Sequence, residues 1–138
     1  MMAKDKDEIT MLKKIKEENI SKMKYCEVNP PQEYHTGKAK RYYPKLCYQK
    51  AIHYVFDLKE EVNHHVKVVH GQCYNDCLMI DHAWVEIPGN IVFDGVLQRF
   101  YDKDGYYKAK GAIKEAEYTN AGAAEMLCEY RHFGPWHK

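Results

Sequence analysis

Nowhere does the chain carry the roughly 18 consecutive apolar residues that a membrane-spanning helix needs. Its start, Met1 to Thr10, holds Lys4, Asp5, Lys6, Asp7 and Glu8 where a secretory signal would place an apolar segment. The expectation is a soluble, cytoplasmic protein with no membrane partner. Neither sign of charge dominates, since 21 Lys+Arg stand against 20 Asp+Glu, and this balance argues against nucleic acid as a partner. A disulfide framework is missing as well: the five cysteines (Cys26, Cys47, Cys73, Cys77, Cys128) are odd in number and irregularly spaced, which in a reducing compartment means free thiols. Gly71 and Gly95 lack a phosphate-loop context and Gly105 sits in an Asp-Gly pair, so nucleotide binding finds no support. There is no internal repeat and no low-complexity segment. What is present is a 138-residue chain, 45% hydrophobic and 30% charged, which suits a single domain over 1–138. Tyrosine is abundant at twelve residues against four phenylalanines, with pairs at Tyr42-Tyr43 and Tyr106-Tyr107, a bias that fits a lined cleft.

Periodicity orders the chain. Ile9, Leu12, Ile15, Ile20 and Met23 recur at helical spacing among Lys and Glu, predicting a peripheral amphipathic helix within 1–28. Asn29-Pro30-Pro31 ends it, and a basic loop with Lys38, Lys40 and Arg41 runs to Tyr43. Pro44 opens a second helix to about Leu58, with Leu46, Ala51, Ile52, Val55 and Phe56 on its apolar side. Three extended runs follow, 66–74, 78–87 and 90–96, the last two joined by a tight turn at Pro88-Gly89-Asn90, which predicts an antiparallel meander. Tyr101 to Gly111 reads as a loop through Asp104-Gly105. The C-terminal part, 112–138, reads as a fourth strand over 112–119, a helix capped by Thr119 or Asn120 and running to about Arg131, then an aromatic staple at Phe133-Gly134-Pro135-Trp136. The fold class is α+β, a helix packed on a small antiparallel sheet with peripheral terminal helices.

Within this frame three residues carry a chemical pattern. Cys47 stands at the start of the second helix, where unpaired first-turn amides and the helix dipole favour a thiolate. In His82-Ala83-Trp84-Val85-Glu86, alternation sends His82, Trp84 and Glu86 to one face of a strand. Asp94 ends the apolar run Ile91-Val92-Phe93, and a hairpin about Pro88-Gly89 sets it opposite some residue between Asp81 and Glu86, with strand register deciding whether it meets His82. A thiol nucleophile needs a histidine to carry its proton and a carboxylate to orient that histidine, and the three side-chain types are these.

In the order Cys47, His82, Asp94, and in the local words Leu46-Cys47-Tyr48, Val68-Val69-His70-Gly71, His82-Ala83-Trp84-Val85-Glu86 and Val92-Phe93-Asp94, the chain resembles the transglutaminase-like branch of the papain-like cysteine enzymes. The likeness spans about residues 40–101. It implies a nucleophile at Cys47, a general base and acid at His82, an orienting carboxylate at Asp94, an acyl-transfer reaction on a protein or peptide-like amide, and no cofactor. Lys45, Leu46 and Tyr48 stand where family members often have glycine or tryptophan, and no glutamine precedes Cys47 more closely than Gln32. The oxyanion hole then falls to the Cys47 amide plus another donor, with Tyr42, Tyr43 and Gln72 as candidates and Trp84 as a cleft-wall aromatic.

Two other readings use the same residues. Cys73-x-x-x-Cys77 with His64, His65, His70 and His82 offers soft ligands for zinc at a permitted but undistinctive spacing. A non-catalytic protein-binding or inhibitor domain on the same fold would instead use the basic loop and the tyrosines as its contact surface.

Overall fold

The computed structural model describes residues 23–36 and 42–138. The helix expected within 1–28 lies outside these residues except at its end, where Lys24–Cys26 forms a single 3-10 turn. The basic positions Lys38, Lys40 and Arg41 also lie outside them. Helix α1 is Cys47–Asp57, α2 Glu60–Asn63, α3 Lys103–Lys110 and α4 Asn120–Tyr130. Strands β1 (Lys67–Asn75), β2 (Leu78–Ile87), β3 (Ile91–Asp94), β4 (Arg99–Asp102) and β5 (Ile113–Thr119) form one antiparallel sheet in the order β4-β3-β2-β1-β5. The class is therefore α+β. The first four strands are a meander, and the chain then crosses the sheet through α3 to add β5 beside β1. Among the described residues no helix is long and apolar enough to cross a membrane.

Strand alternation sorts the apolar side chains into two layers. Val68, Ala83, Val85, Ile87 and Phe93 face α1, whose Ala51, Ile52, Tyr54 and Val55 are buried against them. Val69, Trp84, Val92 and Tyr101 face the opposite way and are covered by Tyr106 of α3 together with Met23 and Cys26. Burying a side chain of this size stabilises by about 1.5–3 kcal/mol, so both faces contribute to holding the sheet between its helices. On the α1 face the C-terminal segment folds back as a staple. Trp136 packs 4.9 Å from His70 and 5.0 Å from Tyr118, ring centre to ring centre.

Three features depart from the sequence expectation. Helix α1 starts at Cys47 rather than Pro44, because Lys45 is left-handed at φ 65° and cannot sit inside a helix. The stretch 101–111, expected as a loop, is the end of β4 and the whole of α3. Asp102 caps that helix by accepting from the Gly105 amide at 2.9 Å, so the Asp104-Gly105 pair is helical and not a turn. Gly105 is there because a Cβ would stand 2.5 Å from Cys26 Cβ. The expected fourth strand is consequently the fifth. Thr119 caps α4 by accepting from Gly122 N at 3.0 Å.

Candidate active site

The site is built where β3 stops short of β2. Pairing between them runs from Ile87↔Ile91 to Val85↔Phe93, and continuing that register sets Asp94 across from Trp84 with His82 one pleat further along the same face. The chain then turns, and Asp94 holds the turn: its Oδ1 accepts from Val96 N at 2.9 Å and Leu97 N at 3.0 Å. This is an aspartate doing what its short side chain does at turns, accepting from amides two and three residues on. The turn touches α1 directly, since a Cβ on Gly95 would stand 2.6 Å from Lys50 Cβ. Cys47, the first residue of that helix, is thereby fixed relative to Asp94.

The other carboxylate oxygen completes the arrangement. Tyr106 donates its hydroxyl proton to Asp94 Oδ2 at 2.6 Å, and His82 Nε2 lies 3.2 Å from the same oxygen and 3.0 Å from the tyrosine oxygen. Because the single Tyr106 proton is committed to Asp94, both neighbours of Nε2 are acceptors, and the proton of a neutral His82 belongs on Nε2. Nδ1 is left as the basic nitrogen, and Cys47 lines the same cavity as the ring. His82 and Asp94 are 5% and 1% exposed. Burial alone would push the imidazole down, but the hydrogen bonds to Asp94 and Cys47 and the Asp94 charge outweigh it and hold its pKa well above the usual histidine range. Burial likewise works against the Asp94 carboxylate, yet the His82 hydrogen bond and charge, the Lys110 charge and the Tyr106 hydroxyl hold it well below the usual range. Tyr106, buried beside that carboxylate, is held well above the usual tyrosine value and stays a donor.

Cys47 and His82 open into a cavity of about 390 Å³, a volume of the kind that takes small ligands or a peptide side chain. Its apolar walls include Tyr42, Tyr48, Ile80 and Val96, and its charged lining includes Lys45, Asp81 and Lys110. A second thiol, Cys73, also lines it; burial pushes that group up, so it is held as the neutral thiol. Helix α1 begins without a side-chain cap at Leu46, which leaves its first-turn amides to other acceptors.

Of the residues that the sequence marks for acyl transfer, the structure brings Cys47, His82, Asp94 and Tyr42 to this site. Tyr43 turns away and lines a separate cavity of about 160 Å³, with Lys50 Nζ 3.8 Å above its ring. Gln72 sits opposite Asp81 across the β1–β2 ladder and does not line this cavity. Trp84 lies wholly buried beneath the site and donates its Nε1–H to Glu86 at 3.4 Å. Cys73 is buried and Cys77 exposed at the β1–β2 turn, and among the described residues no group of three or more His, Cys, Asp or Glu side chains could hold a metal ion. Cys73, a candidate zinc ligand by sequence, is instead part of the cavity wall. Lys110 and Asp81 carry no functional mark in the sequence, and Tyr106 appears there only as one of the paired tyrosines that fit a lined cleft. A further signal for Tyr106 is Asp102-x-x-Gly105, a helix cap that places a tyrosine on the inner face of α3. No protein-family model, no curated protein and no solved structure matches this chain.

Proposed function

We propose that the protein is a cysteine-dependent acyl-transfer enzyme acting on an amide or peptide-like bond, with Cys47 as nucleophile, His82 as proton carrier and Asp94 as the orienting carboxylate. The observation that carries this reading is the His82 ring. Its Nε2 is held by Asp94 and Tyr106, and His82 and Cys47 line the same cavity. A buried histidine in a purely structural role has no need of a second nucleophilic neighbour at a cavity mouth. The order of a cysteine-bearing helix followed by histidine and aspartate strands is also what the resemblance to transglutaminase-like enzymes calls for.

In the proposed reaction the Cys47 proton has passed to His82 Nδ1, where the Asp94 charge favours the imidazolium, and the sulfur attacks the substrate carbonyl, forming a tetrahedral oxyanion. The Cys47 amide, at the start of an uncapped helix, is one donor to that oxyanion. Collapse expels the amine, which takes the proton from His82, and leaves a thioester on Cys47. Water, or a second amine, gives its proton to His82 and releases the acyl group. Asp94 stays ionised throughout and stabilises the imidazolium. The test is incubation with a p-nitrophenyl acetate donor. One equivalent of nitrophenolate released in a burst, with one acetyl group on the Cys47 peptide by mass spectrometry and none in His82→Ala, is the expected result. Acetylation spread over the exposed thiols Cys77 and Cys128, with none at Cys47, would refute the reading and leave a binding domain.

A further inference from the structure

The charges around the cavity do not balance. Lys45 lines the cavity from the turn before α1 and Lys110 from the last turn of α3, so two lysines from separate elements line one cavity. Neither is paired with a carboxylate among the described residues. The anions there are already answered: Asp81 holds Lys138 Nζ at 2.5 Å, and Asp94 is saturated by the Val96 and Leu97 amides, the Tyr106 hydroxyl and the His82 ring. Lys110 lies near enough to the site for its charge to act on Asp94 and Cys73. Between the cations the walls are Tyr42, Tyr48, Ile80 and Val96, which suit an apolar or aromatic body. Low-permittivity walls concentrate the field of an unpaired charge within a cleft, so such a lining selects for the opposite sign.

We propose that the acyl donor bound over Cys47 carries a carboxylate, held by Lys110 and Lys45 beside the bond that is cleaved. This rests on Cys47 being the nucleophile. Haloacetates test it without knowledge of the natural substrate, because iodoacetate and iodoacetamide deliver the same carbon to sulfur and differ in charge. Per-site alkylation rates in the intact protein give the iodoacetate-to-iodoacetamide ratio at Cys47, normalised to the same ratio at the exposed Cys77. The normalised ratio is expected to exceed one and to fall about three- to tenfold in Lys110→Gln, as expected for one ammonium acting across a partly solvated cleft. It should fall further when Lys45→Gln is added, and Lys110→Arg should retain it. A ratio raised in the unaltered protein but unmoved by the lysine substitutions assigns the attraction to the His82 imidazolium and overturns the proposal alone. A Cys47 inert to iodoacetamide overturns the catalytic reading and this proposal together.

Discussion

Acidification should weaken this fold through one histidine outside the candidate site. His70 on β1 is fully buried, with neither ring nitrogen hydrogen-bonded, among Tyr48, Tyr118, Trp136 and His137. Burial, with a smaller contribution from the charge on His137, pushes its pKa from 6.5 down to about 4. The unfolded chain therefore binds a proton at this position between those two values while the folded one does not. Stability is present in full above pH 6.5, is lost as pH falls towards 4, and falls no further from this cause below that. Each pH unit between the two values costs about 1.4 kcal/mol, so the difference between pH 7 and pH 4 comes to about 3 kcal/mol. Urea unfolding followed by tryptophan fluorescence measures it, since Trp136 packs on the His70 ring. His70→Phe keeps a ring and removes the titration, so its stability should fall about 3 kcal/mol less over the same interval, with the carboxylates common to both proteins. Parallel stability curves for the two proteins would show that burial of His70 does not set this pH dependence.

Two further outcomes follow from the site. Tyr106→Phe removes the 2.6 Å hydrogen bond to Asp94 and one acceptor of His82 Nε2; it should cost about 1.5–3 kcal/mol in urea unfolding, the range for a hydrogen bond to a charged group, and slow Cys47 alkylation in the protein that remains folded. Gly95→Ala puts a methyl 2.6 Å from Lys50 Cβ. It should cost about 1–3 kcal/mol by thermal unfolding and reduce Cys47 labelling by forcing the β3–β4 turn from α1, with no change at the exposed Cys77.

Local signals make much of this site legible in the sequence. Pro44 announces a helix, alternation around Trp84 announces a strand, and Pro88-Gly89-Asn90 announces the hairpin that carries Asp94 back towards His82. Register is not legible, because a slip of one residue would put Asp94 on the other face; it is set by Gly89 and Asn90, both at positive φ. The start of α1 differs from its expected position by three residues because a left-handed lysine leaves no mark on composition. Helix α3 escapes a local reading for a different reason. Its Gly105 answers a close approach by Cys26, far away in the sequence, whereas an Asp-Gly pair on its own reads as a turn. Without α3, Tyr106 and Lys110 have no visible place at the cavity, since their positions depend wholly on tertiary contact.

Catalysis by this site requires that the Cys47 sulfur exchange its proton with His82. Limiting iodoacetamide against pH, read per cysteine by peptide mass spectrometry in the native protein and in His82→Ala, measures this directly. Preferential labelling of Cys47 over the exposed Cys77, sharply reduced by the substitution, is the expected result, while Cys73 in the same cavity stays unlabelled. A Cys47 that remains unlabelled until the protein is denatured, or whose pH profile is the same with and without His82, would contradict a catalytic Cys47–His82 pair.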